Sequence, residues 1–121
     1  MTAPASIIGL AIEHRTSENW LLVLPLRIGT TDASTATALV GAQAQLRLAG
    51  KLNTMQQAEI VFAGARCRIE GHSIVLEAAS EYFDGKAGVY KGEVLVRLVN
   101  GFDFVSHVVD LNVLQGLGWV T

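Results

Sequence analysis

The side chains that could carry a reaction are scattered along this chain and form no recognisable motif. The histidines have neither the HxH nor the HExxH spacing of a zinc site; they are His14, His72 and His107. The stretch TTDASTATA is rich in hydroxyl groups, but the chain has no GxSxG elbow and no GxGxxG phosphate loop. The carboxylates are equally dispersed and define no acid–base pair. We therefore expect a protein that is not an enzyme and that uses no metal or other cofactor.

The single cysteine, Cys67, is the side chain whose neighbours could activate it. Arg66 and Arg68 flank it, and positive charge on the same face of a strand would lower the pKa of the thiol. The residues of ARCRIEG alternate, however, and this places both arginines on the opposite face from Cys67. The sequence therefore predicts an unreactive thiol in the core, and one cysteine cannot form an intrachain disulfide.

A denser group of distinctive residues occurs in the stretch SEYFDGKAGVY. Here Tyr82 and Phe83 precede the turn residues Asp84 and Gly85, and Tyr90 begins the next apolar stretch. The three aromatic residues could form a platform for a ligand. Alternatively, the stretch could be a tyrosine corner, in which a Tyr at the start of a strand donates its hydroxyl to backbone a few residues upstream. Alternation points Tyr90 inward, which favours the corner, with Asp84 and Gly85 in its turn.

Composition narrows the range of partners. The net charge is −2 and the pI about 5.8, so no basic field would attract nucleic acid or an anionic membrane. The apolar run IIGLAI is too short for a signal peptide or a membrane span, and we expect a soluble cytoplasmic protein. Charged residues make up only 17% of the chain, against roughly 25% in an average domain. Either another subunit covers part of the surface, or the surface is unusually rich in Ala and Gly.

The elements that must position these residues have a period of two. Apolar and polar residues alternate in VGAQAQLRL, ARCRIEG and SIVLEA, and turn signals separate these stretches. We expect one domain over residues 1–121, an all-β, immunoglobulin-like antiparallel β-sandwich of about seven to nine strands. At most one short helix is expected, near Ala78 to Phe83 or at Thr35 to Leu39. The stretch NWLLVLPLRI is apolar on both faces, and because Pro25 lacks a donor, that strand should lie at an edge or be bulged there.

The dipeptide Asn100-Gly101 predicts a β-hairpin with a two-residue type I′ turn. That turn sets Val99 opposite Phe102 and, at the far end of the hairpin, Tyr90 opposite Leu111. The same register predicts further inner-face pairs, which are Gly92–Val109, Val94–His107 and Val96–Val105. On the outer face it predicts Lys91–Asp110, Glu93–Val108, Leu95–Ser106 and Arg97–Phe104.

The outer face of this hairpin is too apolar for open water. We predict that it forms an interface through five residues: Leu95, Val99, Phe102, Phe104 and Val108. The alternative is that the chain's own N-terminal strand or a loop covers this face.

The order of these features resembles a β-sandwich module of small phage and prophage tail or baseplate proteins. The entry strand NWLLVLPLRI, the strand start LVGAQAQLRL and the ending AGVYKGEVLVRLVNGFDFVSHVVDL are similar to the N-terminal module of baseplate upper proteins. The resemblance implies a non-enzymatic structural subunit, made in the bacterial host cytoplasm and then part of a virion tail. It also implies that the subunit packs against copies of itself or against other tail proteins.

Two other functions are compatible with the residues. A carbohydrate- or ligand-binding module could stack its ligand on Trp20, Tyr82 or Phe83. A hydrolase whose site the sequence does not reveal is the third hypothesis.

Overall fold

A computed structural model describes residues 8–28, 31–32 and 41–118 of the chain. Within these ranges the regular structure is β-strand apart from two short 3₁₀ turns, Gly64–Arg66 and Ser80–Phe83. The strands are β1 (Ile8–Arg15), β2 (Trp20–Pro25), β3 (Arg27–Ile28), β4 (Thr31–Asp32), β5 (Gln43–Leu52), β6 (Gln57–Phe62), β7 (Cys67–Glu70), β8 (Ser73–Ala78), β9 (Gly88–Arg97) and β10 (Asp103–Leu114).

The strands form a sandwich of two sheets. One sheet has five strands in the order β1-β10-β9-β5-β6, the other has three in the order β2-β8-β7, and β3 and β4 pair separately. Strands β2, β8 and β7 take the places of B, E and D in an immunoglobulin-like sandwich, and β5, β9 and β10 those of C, F and G. The predicted fold class is confirmed. The sandwich is not wholly antiparallel, however, because β1 pairs with β10 in parallel.

Alternation along the strands builds the core between the two sheets. In β5, Leu46 and Leu48 are fully buried while Arg47 between them is exposed, as a period of two requires. The same pattern buries residues from both sheets, namely Ile60, Phe62, Ile74, Leu76, Tyr90, Val94, Val96, Val109, Leu111 and Val113. The core is therefore continuous between the sheets.

Cys67 belongs to this core, as the sequence predicts. It is only 5% exposed. Burial raises the pKa of its thiol to about 11, and the charge of Arg68 opposes that shift only in part. The thiol is therefore protonated at neutral pH.

The turn before β9 has the geometry of a tyrosine corner. Tyr90 is fully buried, and its hydroxyl donates a 2.6 Å hydrogen bond to the carbonyl of Lys86, four residues upstream. Gly85 adopts a φ of +72° beside the exposed Asp84, and Lys86 N–H donates to Phe83 O at 3.0 Å. The turn and the hydroxyl together fix where β9 begins.

One short helical turn lies where the sequence predicts it, and Pro25 lies at the end of a strand. The 3₁₀ turn Ser80–Phe83 lies inside the predicted stretch Ala78 to Phe83, while the turn Gly64–Arg66 was not predicted. Thr35 to Leu39 lies outside the described residues. Pro25 ends β2, which is an edge strand of the three-stranded sheet, as the missing donor indicates.

Candidate protein interface at the β9–β10 hairpin

The hairpin between β9 and β10 turns through a three-residue loop, Val99 to Gly101. Leu98 N–H donates to Phe102 O at 2.9 Å, and Gly101 N–H donates to Leu98 O at 2.9 Å. Only Gly101 in this loop has a positive φ, +88°, whereas a type I′ turn would require one at Asn100 as well. Instead the Asn100 side chain accepts a 3.0 Å hydrogen bond from Phe102 N–H. The predicted two-residue turn is therefore wrong, because this hydrogen bond and an unstrained Asn100 favour the longer loop.

A β-bulge in β10 compensates for the longer loop. Near the loop Val105 lies opposite Leu95, one residue away from the predicted register. The register shifts at Ser106, and His107 then lies opposite Val94, as predicted. The predicted register is confirmed from that pair to Tyr90–Leu111, and it is wrong for Leu95–Ser106, Val96–Val105, Arg97–Phe104 and Val99–Phe102.

The corrected register redistributes the residues predicted to form an interface. Phe104 lies opposite the buried Val96 and is itself half-buried against the core. Its predicted place on the outer face is therefore wrong, since the bulge reverses the alternation between it and the rest of β10. Leu95 and Val108 remain on the outer face, where Leu95 is half-buried and Val108 is 41% exposed.

The remaining two predicted residues, Val99 and Phe102, are exposed at the hairpin loop, and we call this pair the tip patch. Val99 is 76% exposed and Phe102 is 58% exposed. The centre of the Phe102 ring lies 6.1 Å from that of Phe104, so the exposed ring rests on a ring that packs against the core. Residues 98–102 include no charged side chain. The loop therefore presents apolar groups with no competing charge of its own.

A bidentate ion pair closes the base of the loop. Arg97 donates from Nε to Asp103 Oδ1 at 2.7 Å and from a terminal nitrogen to Oδ2 at 2.9 Å. These hydrogen bonds raise the pKa of Arg97 and lower the pKa of Asp103. They replace the predicted pairing of Arg97 with Phe104. Because both side chains are exposed, the pair orients the loop more than it stabilises the fold.

A groove of about 520 Å³ lies beside the hairpin. It is lined by Leu95 and Arg97 from β9, by Gln43 and Gln45 from β5, and by the start of β7, including Cys67. The amide and guanidinium groups can donate hydrogen bonds to a ligand. The Cys67 thiol is protonated at neutral pH, so it gives this groove no activated nucleophile.

The aromatic residues that could have formed a stacking platform are occupied within the fold. Trp20 is 4% exposed and Phe83 is fully buried, so the hypothesis that a sugar stacks on either ring is wrong. Tyr82 uses its hydroxyl to accept from Val61 N–H and to donate to Val61 O, each at 2.9 Å. The Arg66 guanidinium lies 4.4 Å from the Tyr82 ring centre. These contacts hold the Tyr82 side chain against the edge of β6.

Exposed apolar residues also occur on β2, which the sequence did not indicate as a possible interface. Leu21 is 67% exposed and Val23 is 54% exposed. The signal was present in NWLLVLPLRI, which is apolar on both faces although only one face of an edge strand meets the core.

Two further properties concern the described ranges as a whole. Across residues 8–28, 31–32 and 41–118, no three His, Cys, Asp or Glu side chains come together as a metal site would need. In the same ranges, no helix has the length and apolar character needed to cross a bilayer.

No known protein family matches the sequence, and no curated protein matches it. Solved structures do match, among them extracellular domains 3–5 of Drosophila OTK, with 18% identity and a TM-score of 0.39. That match covers 97% of this chain, which spans 35% of the OTK chain. At this identity and score, nothing about function follows for this protein.

Proposed function

We propose that this protein is a non-enzymatic structural subunit that assembles through the tip patch, as a component of a phage or prophage tail or baseplate. The observation that carries the proposal is the exposure of Val99 and Phe102 on a loop without charged side chains. Exposed apolar side chains that cluster on a surface support a protein–protein contact. The partners are further copies of the chain, other tail proteins, or both.

Covering the Phe102 ring would contribute substantially to an association. An aromatic side chain buries about 150–250 Å² when fully covered, and Phe102 is 58% exposed, so roughly 90–140 Å² remains to be covered. At about 25 cal/mol per Å², this contributes about 2–4 kcal/mol. That is the scale of an interface hot spot.

The loop is also held in one orientation before a partner binds. The hydrogen bonds of Leu98, Asn100 and Gly101 define its backbone, and the Arg97–Asp103 pair closes its base. Association therefore costs little ordering entropy at the tip patch.

The assignment to a phage tail or baseplate depends on the resemblance to tail and baseplate modules. The low content of charged residues, 17%, is consistent with a subunit whose surface is covered in an assembly. The fold alone carries no such assignment, because immunoglobulin-like sandwiches serve many unrelated functions. In this proposal the chain is made in the host cytoplasm and then enters the virion tail.

The variant Phe102→Ser tests the tip patch. We expect wild-type protein to form oligomers as its concentration rises, and the variant to show a lower molar mass by light scattering after size exclusion. The matched control is Val89→Ser, since Val89 is also 58% exposed but lies at the other end of β9. Wild-type protein that stays monomeric at every concentration contradicts self-assembly, and equal effects of both variants contradict the role of the tip patch.

The genes beside this one test the tail assignment separately. We expect them to encode tail or baseplate proteins. A neighbourhood of unrelated genes would contradict the tail assignment and would leave the interface to be judged by the variants.

A further inference from the structure

Strand β2 leaves one edge of the three-stranded sheet unpaired in the described part of the chain. It pairs with β8 on one side only. On its outer face Leu21 is 67% exposed and Val23 is 54% exposed, and the strand contains no charged residue. An exposed, apolar edge strand can pair with a strand of another chain.

The direction of hydrogen bonding along β2 identifies the groups at this free edge. Leu26 N–H donates to His72 O at 2.9 Å, on the side of β8. Because successive residues of a strand alternate in direction, Leu21, Val23 and Pro25 point their backbone groups away from β8. Pro25 has no N–H to donate. Because its backbone groups point away from β8, the hydrogen bonds between β2 and β8 lose no donor at this position.

Within the part of the chain that the structure describes, other edge strands carry features that oppose pairing, and β2 lacks them. At β6, the Tyr82 hydroxyl occupies both the N–H and the C=O of Val61, which would otherwise face a free edge. Strand β7 carries the charged residues Arg68 and Glu70, and β1 carries Glu13. Charges at an edge oppose pairing with another apolar strand. In strand β2 the residue that could oppose such pairing is Pro25, and it lies at the end of the strand.

We infer that β2 pairs antiparallel with β2 of a second copy, which joins the two three-stranded sheets into one. A two-fold register centred on Leu22 sets Leu21 opposite Val23 of the second copy, and Val23 opposite its Leu21. Each of these pairs can exchange two N–H···O=C hydrogen bonds. The register therefore satisfies the free backbone groups of both residues on both copies.

A second copy fits this edge because the edge is complementary to itself. On the outer face Leu21 meets Val23, and the Cβ atoms of such cross-strand pairs lie about 5 Å apart. Pro25, which cannot donate, falls outside the two central pairs. No like charges meet, since β2 carries none. The tip patch is on the other sheet, so this contact is additional to the proposed assembly surface.

The test compares Val23→Lys with Val89→Lys by sedimentation velocity from micromolar to millimolar concentration. Val23 is 54% exposed and Val89 is 58% exposed, so either lysine can remain in solvent and the monomer can fold. Val89 lies on β9, which is paired on both sides, and so serves as the matched control. Both variants are made in the Phe102→Ser background, which removes the tip patch from the comparison. Thermal melts by circular dichroism verify that the variants are folded.

In that background we expect the parent and Val89→Lys to approach twice the 12.9 kDa monomer mass. Val23→Lys should remain at the monomer mass, with dimerisation weakened by at least about tenfold. Equal dimerisation of Val23→Lys and Val89→Lys overturns the inference, and so does a parent that remains monomeric throughout.

A cysteine at position 22 tests the register. In the proposed register Leu22 lies opposite Leu22 of the second copy. The two residues form a non-hydrogen-bonded pair, in which the Cα atoms lie about 4.5 Å apart. This separation is within the range that a disulfide can span. Leu22→Cys should form a disulfide-linked dimer under mild oxidation, whereas Leu21→Cys, two residues out of register with its own copy, should form far less. The native Cys67 is buried, so it does not compete. Absence of the Leu22→Cys dimer, or equal cross-linking of both variants, overturns the pairing.

Discussion

The variant Tyr90→Phe removes a single atom from the tyrosine corner. The Tyr90 ring is fully buried, and its hydroxyl donates to the Lys86 carbonyl at 2.6 Å. Phenylalanine keeps the ring and its packing in the core. The substitution therefore isolates the hydrogen bond that holds the turn before β9 against the strand.

We expect this variant to lose about 1 kcal/mol of unfolding free energy. A neutral intramolecular hydrogen bond contributes about 0.5–1.5 kcal/mol net, and an acceptor left buried without a partner costs about 1–3 kcal/mol. Lys86 is half-buried, so water can reach its carbonyl in part and the lower end applies. For a chain of this length, 1 kcal/mol lowers the Tm by about 4 °C.

Urea unfolding monitored by circular dichroism measures this loss as a shift of the midpoint at constant slope. Tyr82→Phe is the matched control, because its hydroxyl bonds to Val61 at an exposed strand edge where water can replace it. We expect the control to shift less. An unchanged midpoint for Tyr90→Phe, or an equal shift in both variants, would refute the reasoning.

Alkaline pH gives a second measurement on the same hydroxyl. Burial raises the pKa of Tyr90 above its usual value of about 10, so the unfolded chain ionises first as the pH rises. The contribution of Tyr90 is therefore complete below about pH 10 and is lost as the pH rises through the raised pKa. Wild-type protein should lose stability more steeply there than Tyr90→Phe, and parallel pH profiles would contradict this.

Two further substitutions test packing and titration. A Cβ at Gly92 would overlap the Arg47 carbonyl on β5, so Gly92→Ala should lower the unfolding free energy by more than about 2 kcal/mol. Gly9→Ala, with nothing within 4 Å of its Cβ, should change it little, and equal urea midpoints would contradict the close approach. His14 Nε2 donates to Glu18 O at 2.9 Å, and burial lowers the pKa of His14 despite this bond. The unfolded chain is thus protonated first, so the stabilisation is complete above about pH 6.5 and is lost as the pH falls through the lowered pKa. The variant His14→Gln should therefore lose less unfolding free energy than wild type as the pH falls. Identical urea midpoints of wild type and variant at each acidic pH would contradict this expectation.

The β9–β10 hairpin could be predicted from the sequence in part. The pairing from Val94–His107 to Tyr90–Leu111 was predicted correctly, although the loop is one residue longer than predicted and a bulge at Ser106 restores the register. The apolar pattern defines which face a residue takes but does not count the residues in a loop. Loop length depended on the side-chain hydrogen bond of Asn100, and the bulge was not visible in the pattern.

The site was predictable in part for the same reason. Val99 and Phe102 are exposed as predicted, although Val99 lies in the loop and not in a strand pair with Phe102. Phe104 lies toward the core because it falls between the loop and the bulge. Leu21 and Val23 were not selected, since a strand that is apolar on both faces reads equally well as a buried central strand.

The sequence by itself determined the all-β class, the burial of Cys67 and the place of the turn before Tyr90. Each of these follows from local chemistry, because side-chain alternation and glycine-bearing turns act over a few residues. Only the tertiary structure decided that β1 runs parallel to β10, that Trp20 and Phe83 are covered, and that one edge of β2 is unpaired in the described part of the chain. Exposure is set by what lies across from a residue, and that neighbour comes from a distant part of the chain whose arrival no local pattern encodes.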